Sequence, residues 1–537
     1  MTADPELDAV VIGAGFSGLR MLIELRRLGL SAKVIDAGSD VGGTWCWNRY
    51  PGARTDSESW QYAYSFSREL QDEWRWTERY PSQPEVQGYL RHVADRFDLR
   101  RDLVLRTRVT AARYDEATAT WTVTTDHDGT YSCRYLIGAT GVLSEPYVPD
   151  LPGLDSFAGQ WYLTANWPEH HVDFAGKRVA VVGTGASGVQ IAPIIAHTAE
   201  HLSVFQRTPN FVMPGRNYTL SSAQRQAIRR DYDRIWESTR NHVFGFDMAP
   251  AGRVAGDLSA DEQRRFLERA WETGGFYFVF DAFDDLLIND DANHAAAEFI
   301  RDKIRTIVDD PAVAELLCPK GYPFLGKRPP VGHLYYETFN RDNVTLVDVH
   351  DDPIAEVTPT GLRTATGADH PADMIVFATG FDALTGALSR IDVRGRGGVG
   401  LREKWADGGR THLGICVDGF PNLFMVCGPQ SPFANIPVAA EGVVEWIGAA
   451  IAHLRRNDLA SIEVTPDAVR DWDRHIDELF HATVLPQCPN SWWLGANVPG
   501  KPPTVLFYFG GYGAYRKECL SAAERGYPGF AFAPARA

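Results

Sequence analysis

Two short stretches, GAGFSG at 13–18 and GTGASG at 183–188, carry three glycines at the spacing with which a chain turns tightly out of a strand and into a helix. Such a turn points backbone N–H groups at a ligand from the positive end of the helix dipole, where a pyrophosphate is stabilised. Gly13, Gly15 and Gly18 serve the first turn, and Gly183, Gly185 and Gly188 the second. The strands beyond the two turns end on different residues. After the first, AKVID ends on Asp36, whose carboxylate can accept from both ribose hydroxyls of an adenosine and repels a 2′-phosphate. That site suits FAD or NAD and disfavours NADP. After the second, SVFQRTP offers Arg207 and Thr208 instead of a carboxylate, and a guanidinium there suits a 2′-phosphate. Taken alone, each glycine motif is also an ordinary tight turn and Arg207 a solvated strand end. Strand, turn, helix and charge together point to FAD at the first site and NADPH at the second.

The elements that position these turns are read from patterning. The apolar run at 9–12, the helix-like LRMLIELRRLGL and AKVID form one strand–turn–helix–strand unit; KRVAVV, VQIAPIIAHTAEHL and SVFQRTP form a second. Between them, residues from Val109 to Gly141 alternate apolar and polar side chains around DEATA and DHDG, the pattern of an antiparallel meander. Residues 222–315 are rich in charge, Ala and helical periodicity, and strand character resumes at NVTLVDV (343–349) and ADMIVFATGFD (372–382). The expected architecture is α/β, with two Rossmann-like dinucleotide-binding domains and a helical insertion. Residues 1–141 and 386–537 are assigned to the FAD-binding domain, 152–208 and 328–385 to the NADPH-binding domain, 209–327 to the insertion and 142–151 to a linker.

Composition narrows the classes. With 53 Lys and Arg against 69 Asp and Glu, the net charge of −16 argues against nucleic acid or an anionic membrane surface as partner. No apolar run approaches the ~18 residues of a membrane span, so a cytoplasmic protein without a span is expected. The 7 cysteines are odd in number and form no CxxC pair, which disfavours a disulfide framework or a thiolate zinc site. HExxH and GxSxG are absent, and the adjacent His170 and His171 lack metal-pair spacing, so neither a metal centre nor a serine-hydrolase elbow is expected.

At 42–56 the chain reads GGTWCWNRYPGARTD, which closely resembles the flavin-proximal motif of type I Baeyer–Villiger monooxygenases. Similar segments run through nearly the whole chain: YPSQPE (80–85), VFQRTPN (204–210), GKRPP (326–330), ATGFDALTGAL (378–388), GFPNLFMVCGPQSP (419–432) and SWWLGANVPGKP (491–502). The resemblance implies that NADPH reduces FAD, that the reduced flavin captures O2 as a C4a-peroxide, and that this attacks a ketone to give an ester or lactone. A negative peroxide and the oxyanion of its carbonyl adduct need a permanent cation in a site that excludes water. Arg328 matches the family's catalytic arginine and Asp56 its partner carboxylate; Arg suits the role because it stays protonated. Lys327 matches the position that contacts the 2′-phosphate, joining Arg207 and Thr208. Trp492 matches a tryptophan on a mobile loop over the nicotinamide. Thr44 and Trp45 belong to the cofactor site, with Tyr50 and Pro51 packing around the flavin. Leu143, Phe433 and Phe507 fall in segments that face the family's substrate pocket, although apolar residues there equally serve as core.

One position departs from the family. Its fingerprint FxGxxxHxxxWP aligns with FAGQWYLTANWP, which keeps Phe157, Gly159, Trp167 and Pro168 but places Leu163 where histidine is expected. Leucine neither hydrogen-bonds nor changes charge. In the family this segment joins the two nucleotide domains, so Leu163 is expected to alter domain coupling, flavin reduction or unproductive peroxide loss, unless Tyr162 or Asn166 supplies the missing hydrogen bond. Alternatives to ketone oxygenation are oxidation of sulfur or nitrogen, an uncoupled NADPH oxidase, or a degenerate nucleotide-binding protein. The expected substrate is a bulky alicyclic, aromatic or polycyclic ketone.

Overall fold

The computed structural model describes residues 6–535. Its first sheet begins with β1 (Leu7–Ile12), whose last four residues are all buried, as befits a parallel strand covered on both faces. The helix Phe16–Arg27 comes after the glycine turn and leads to β2 (Ala32–Ile35), parallel to β1. After β3 (Leu103–Val104) come β4 (Val109–Asp115), β5 (Thr120–Thr125) and β6 (Thr130–Gly138). Strands β4, β5 and β6 form the antiparallel meander that the alternation predicts, and β6 also runs parallel to β1. One long strand therefore belongs to both arrangements: Thr130–Cys133 pairs with the meander, and Cys133–Gly138 with the nucleotide-binding strands.

The second sheet is built from β7 (Gln160–Leu163), β8 (Arg178–Val182) and β9 (His201–Gln206), with the helix Ala186–Thr198 between the last two. The chain then leaves the sheet through β10 (Met213–Pro214) and returns through β11 (Val331–Gly332), and these two short strands pair with each other. Between them lie the helices Ser222–Asn241, Ala260–Thr273 and Asp290–Ile307. The first two open on capping boxes, Ser221 with Gln224 and Ser259 with Glu262, which satisfy otherwise orphaned backbone donors. Beyond β12 (Val344–Asp348) the chain makes a small antiparallel sheet from β13 (Ile354–Thr358), β14 (Gly361–Thr364) and β15 (Asp369–Pro371) before re-entering as β16 (Met374–Phe377). That small sheet escapes the periodicity reading because its strands are only 5, 4 and 3 residues long. The main sheet has the order β12-β9-β8-β16-β7, parallel throughout, so the insertion interrupts the second nucleotide fold in sequence and not in space.

The C-terminal part returns to the first sheet: β17 (Asp392–Arg394) pairs with β4 and β18 (Leu423–Met425) with β6. The helix Ile436–Arg456 packs on Phe16–Arg27. By length and composition it could cross a membrane, the one such helix among the described residues, yet 67% of its most apolar window is buried inside the protein. Glu441 in its middle is buried too, accepting from the backbone N–H groups of Ser65 and Phe66 at 2.9 and 3.2 Å, which is how a core helix satisfies a carboxylate.

Candidate active site

The two glycine turns are set by close approaches. A Cβ on Gly18 would lie 1.7 Å from the Gly13 carbonyl oxygen, and one on Gly188 would lie 2.0 Å from that of Gly183, so the third glycine of each motif lets its helix press on its turn. The second glycines do something else. Gly43 sits back to back with Gly15, and a Cβ on Gly43 would come within 2.9 Å of the Gly15 Cα; Gly185 has nothing within 4 Å of where its Cβ would be. Gly185 leaves bare backbone facing open space at a helix N-terminus, while at the first turn two glycines stand side by side with no side chain between them, each a cradle of the kind that a dinucleotide pyrophosphate requires. Asp36 buttresses the first turn, accepting from the Ala14 N–H at 2.6 Å and the Gly38 N–H at 2.6 Å, while its remaining lone pairs stay available to ribose hydroxyls. Burial raises the Asp36 pKa, and these two backbone donors oppose that rise.

Both turns open into one cavity of about 950 Å³. Gly13, Gly15, Asp36, Thr44, Trp45, Asp56, Leu143, Gly185, Lys327, Arg328, Phe433, Trp492 and Phe507 all line it. Gly18, Gly183, Gly188, Arg207, Thr208 and Pro51 do not. The three glycines are packed behind their turns, and Arg207 is exposed at the end of β9. Arg207 and Lys327 have no carboxylate partner within ion-pair distance among the described residues. Burial, followed by the neighbouring Arg207 charge, pulls the Lys327 ammonium below its ordinary value, and its Nζ lies 5.4 Å from the Tyr322 ring centroid. An anion arriving between these two cations would relieve that repulsion, which fits a 2′-phosphate.

At the cavity wall the Arg328 guanidinium meets Asp56 Oδ2 at 2.7 Å, and the Arg328 carbon Cζ stands 5.5 Å from the Phe276 ring centroid. Asp56 comes from the YPGARTD loop and Arg328 from the segment leading into β11, so the pair closes only in the folded chain. Burial raises the Asp56 pKa; the Arg328 charge and hydrogen bond, the Val331 N–H and Gln190 pull it back. Trp492 packs at 5.0 Å on Phe507 and 6.2 Å from Phe433, while its neighbour Trp493 anchors the loop by donating from Nε1 to the Leu325 carbonyl at 3.2 Å. Lys501 fastens the far end of that loop, its Nζ bonding Asp382 and, at 2.6 Å, the Thr385 hydroxyl.

Sequence patterning does not single out the insertion's share of the cavity. Phe244, Phe246, Phe276 and Phe280 line it, with Phe244 packed edge to face on Phe433 at 5.5 Å between ring centroids. The dense aromatic clusters FGF and FYFVF are the only signal in the sequence. Gln190 escapes as well; a lone amide inside VQIAPII is its only mark.

The fingerprint segment joins the two halves. The Trp167 N–H donates to the Trp47 carbonyl at 3.1 Å, and Glu169 pairs with Arg49 at 3.2 Å. A Cβ on Gly159 would meet the Asp373 carbonyl oxygen at 2.2 Å. Leu163, at the end of β7, packs into the apolar cluster that contains Phe157 and Phe377. Tyr162 faces the other side of the sheet, where its hydroxyl donates to Gln160 at 3.0 Å and its ring lies 5.2 Å from Trp167. The Tyr162 hydroxyl therefore does not reach the place of the missing histidine.

Two nucleotide cradles sharing one cavity with a guanidinium held by a buried carboxylate are the layout of a two-dinucleotide flavoprotein. The pattern of the pyridine nucleotide-disulphide oxidoreductase family matches residues 10–242. A Baeyer–Villiger monooxygenase of Pseudooceanicola batsensis is 45% identical over 528 residues, 98% of this chain and 96% of that protein. A phenazine N-monooxygenase of Lysobacter antibioticus is 42% identical over 525 residues, 97% of this chain and 96% of that one. The crystal structure of OTEMO in complex with FAD and NADP superposes with a TM-score of 0.95 at 42% identity, covering 99% of this chain and 100% of that one. The chain belongs to the FAD- and NADPH-dependent Baeyer–Villiger monooxygenases.

Proposed function

We propose that this enzyme inserts one oxygen atom of O2 beside the carbonyl carbon of a bulky, largely apolar ketone, giving an ester or lactone at the expense of NADPH. The observation that carries this reading is the Asp56–Arg328 pair at 2.7 Å on the wall of a cavity that both glycine turns share. FAD, when bound, supplies the oxygen-transfer chemistry after reduction by NADPH. The protein supplies the surroundings. Gly13 and Gly15 with Asp36 hold the first nucleotide, as Gly185 with Arg207, Thr208 and Lys327 hold the second. Thr44 and Trp45 line the flavin side, and Trp492 covers the nicotinamide side. Arg328 gives a fixed positive charge where negative charge develops on oxygen, and Asp56 orients it; because Arg does not release its proton near neutrality, it stabilises the anion without quenching it. Leu143, Phe433 and Phe507, with Phe244, Phe246 and Phe280 from the insertion, exclude water and receive a ring-sized apolar substrate.

The test is aerobic turnover of the FAD-loaded protein with NADPH and a panel of cyclic, aromatic and polycyclic ketones, with products identified by mass. An ester or lactone formed in proportion to NADPH consumed is the expected outcome. Hydrogen peroxide alone across the panel would contradict it. The 42% identity to a phenazine N-monooxygenase supports a second reading, in which the same cavity oxidises an aromatic nitrogen; formation of an N-oxide from phenazine in preference to an ester from any ketone would favour it.

A further inference from the structure

Gln190 lies early in the helix Ala186–Thr198, among the apolar residues of VQIAPII, and is 7% exposed. A buried amide in such a stretch needs partners, and all of its side-chain hydrogen bonds leave its own domain for the loop 50–56. Its Oε1 accepts from the Tyr50 hydroxyl at 2.8 Å and from the Arg54 N–H at 3.4 Å; its Nε2 donates to the Arg54 carbonyl at 3.1 Å and to Asp56 Oδ1 at 3.4 Å. Because a backbone N–H only donates and a carbonyl only accepts, Arg54 fixes which end of the amide is oxygen and which is nitrogen. The nitrogen is the end that faces Asp56. Gly52, at φ +88°, lets the loop this close: a Cβ there would lie 2.6 Å from the Gln190 backbone oxygen.

We infer that Gln190 is a positioning residue for the catalytic pair: its N–H holds Asp56 Oδ1 while Arg328 takes Oδ2, and its carbonyl oxygen pins the Tyr50 and Arg54 ends of the loop to the helix that starts at the second nucleotide turn. The inference rests on the roles proposed for Asp56 and Arg328. The charged and titratable groups facing Asp56 are Arg328, Tyr50, Tyr62 and Tyr80. Arg328 favours the carboxylate, burial opposes it, and the Gln190 N–H adds to the favourable side. Withdrawing that donor lets the Asp56 pKa rise further. The oxygen end thus has a mechanical duty, and the nitrogen end both a mechanical one at the Arg54 carbonyl and an electrostatic one at Asp56.

Two variants test them. Q190M fills the same space with no hydrogen bonds, whereas Q190E keeps an acceptor for the Tyr50 hydroxyl and the Arg54 N–H but puts a carboxylate oxygen where Nε2 donates to Asp56 and to the Arg54 carbonyl. Two quantities are read on the FAD-loaded enzyme: the acid limb of kcat/KM for ketone oxygenation, and backbone amide hydrogen exchange across residues 50–57 without turnover. Q190M should move the acid limb to higher pH and speed exchange in the loop. Q190E, with a negative charge set against Asp56, should displace the limb further than Q190M does. An acid limb that stays at the wild-type position, or remains absent, in both variants overturns the inference. A D56N control distinguishes the deeper failure: if D56N keeps the wild-type pH profile and product yield, the role of Asp56 itself is wrong.

Discussion

Asp56 and Arg328 form an asymmetric pair: the carboxylate side chain is 4% exposed and the guanidinium 28%, with 2.7 Å between them. The anion is sealed into the protein and the cation is turned toward the cavity. Breaking such a pair from the cationic side leaves a buried charge without compensation, which is far more costly than losing a surface ion pair.

Arg328→Ala should therefore show two effects. Ketone oxygenation should fall at least ~100-fold, the scale on which a single preorganised stabiliser of developing negative charge acts, while NADPH still bleaches the flavin. Melting temperature should fall too, because Asp56 is left unpaired. Product yield and a thermal melt check both, with anaerobic flavin reduction as the control; an unchanged ester yield removes Arg328 from the chemistry.

The second glycine turn can be tested by position. Gly185→Ala adds a methyl into open space, so the protein should fold and keep FAD yet bind NADPH more weakly, because backbone approach to the pyrophosphate is blocked. Gly188→Ala forces a contact at 2.0 Å with the Gly183 carbonyl oxygen and should lower stability instead. Equal NADPH affinity in Gly185→Ala and wild type, measured by titration, would mean that the phosphates lie elsewhere.

The reading of Arg207 and Lys327 as a 2′-phosphate clamp is tested by cofactor choice. Replacing Lys327 and Arg207 together by Ala should narrow the preference for NADPH over NADH. Each charge-assisted contact contributes about 1.5–3 kcal/mol, and exposed Arg207 sits at the lower end. The ratio of kcat/KM for the two cofactors reads this directly, and a fixed ratio places the 2′-phosphate outside this pair.

Leu163→His tests the departure from the family fingerprint. Placing an imidazole in the cluster of Phe157 and Phe377 should lower stability by about 1–2 kcal/mol. It should also change the rate of flavin reduction and lower the hydrogen peroxide released per NADPH. Identical reduction and peroxide values would make the leucine neutral for domain coupling.

His242 gives the fold a pH dependence. Its Nδ1 accepts from the N–H groups of Phe244 at 3.2 Å and Phe246 at 3.3 Å, an arrangement open only to a neutral ring, and burial pushes its pKa down to about 4. Below the ordinary value of 6.5 the unfolded chain takes up a proton that the folded one refuses, so this stabilisation is fully present above pH 6.5 and is lost as pH falls from 6.5 to about 4. The slope is about 1.4 kcal/mol per pH unit for one proton. Denaturant unfolding across that window should be shallower in His242→Gln by up to one proton; equal slopes would mean that His242 titrates normally.

Much of the site is legible in the sequence because it depends on local rules. Glycine spacing fixes the two turns, and an acidic or basic residue at the next strand end distinguishes them. GARTD and KRPP stand far apart in sequence, and only the resemblance to a known family pairs Asp56 with Arg328. Gln190 escapes both kinds of reading, since its importance lies in four bonds to a loop in the other domain and its own surroundings look like plain helix core. The phenylalanines of the insertion escape for a similar reason: aromatic residues in a helical segment look the same whether they fill a core or a cavity.

The pairing of β10 with β11 brings Met213–Pro214 beside Val331–Gly332, so the insertion leaves and rejoins its host at one place. Beyond it the insertion is fastened again beside the cavity, the Asn435 N–H donating to the Phe244 carbonyl at 2.9 Å and the Tyr512 N–H to the Val243 carbonyl at 2.6 Å. The rings it delivers, Phe244, Phe246, Phe276 and Phe280, form one side of the cavity wall. A change of side chain at these four positions would therefore reshape the cavity from the insertion alone, leaving Asp56, Arg328 and both glycine turns in place.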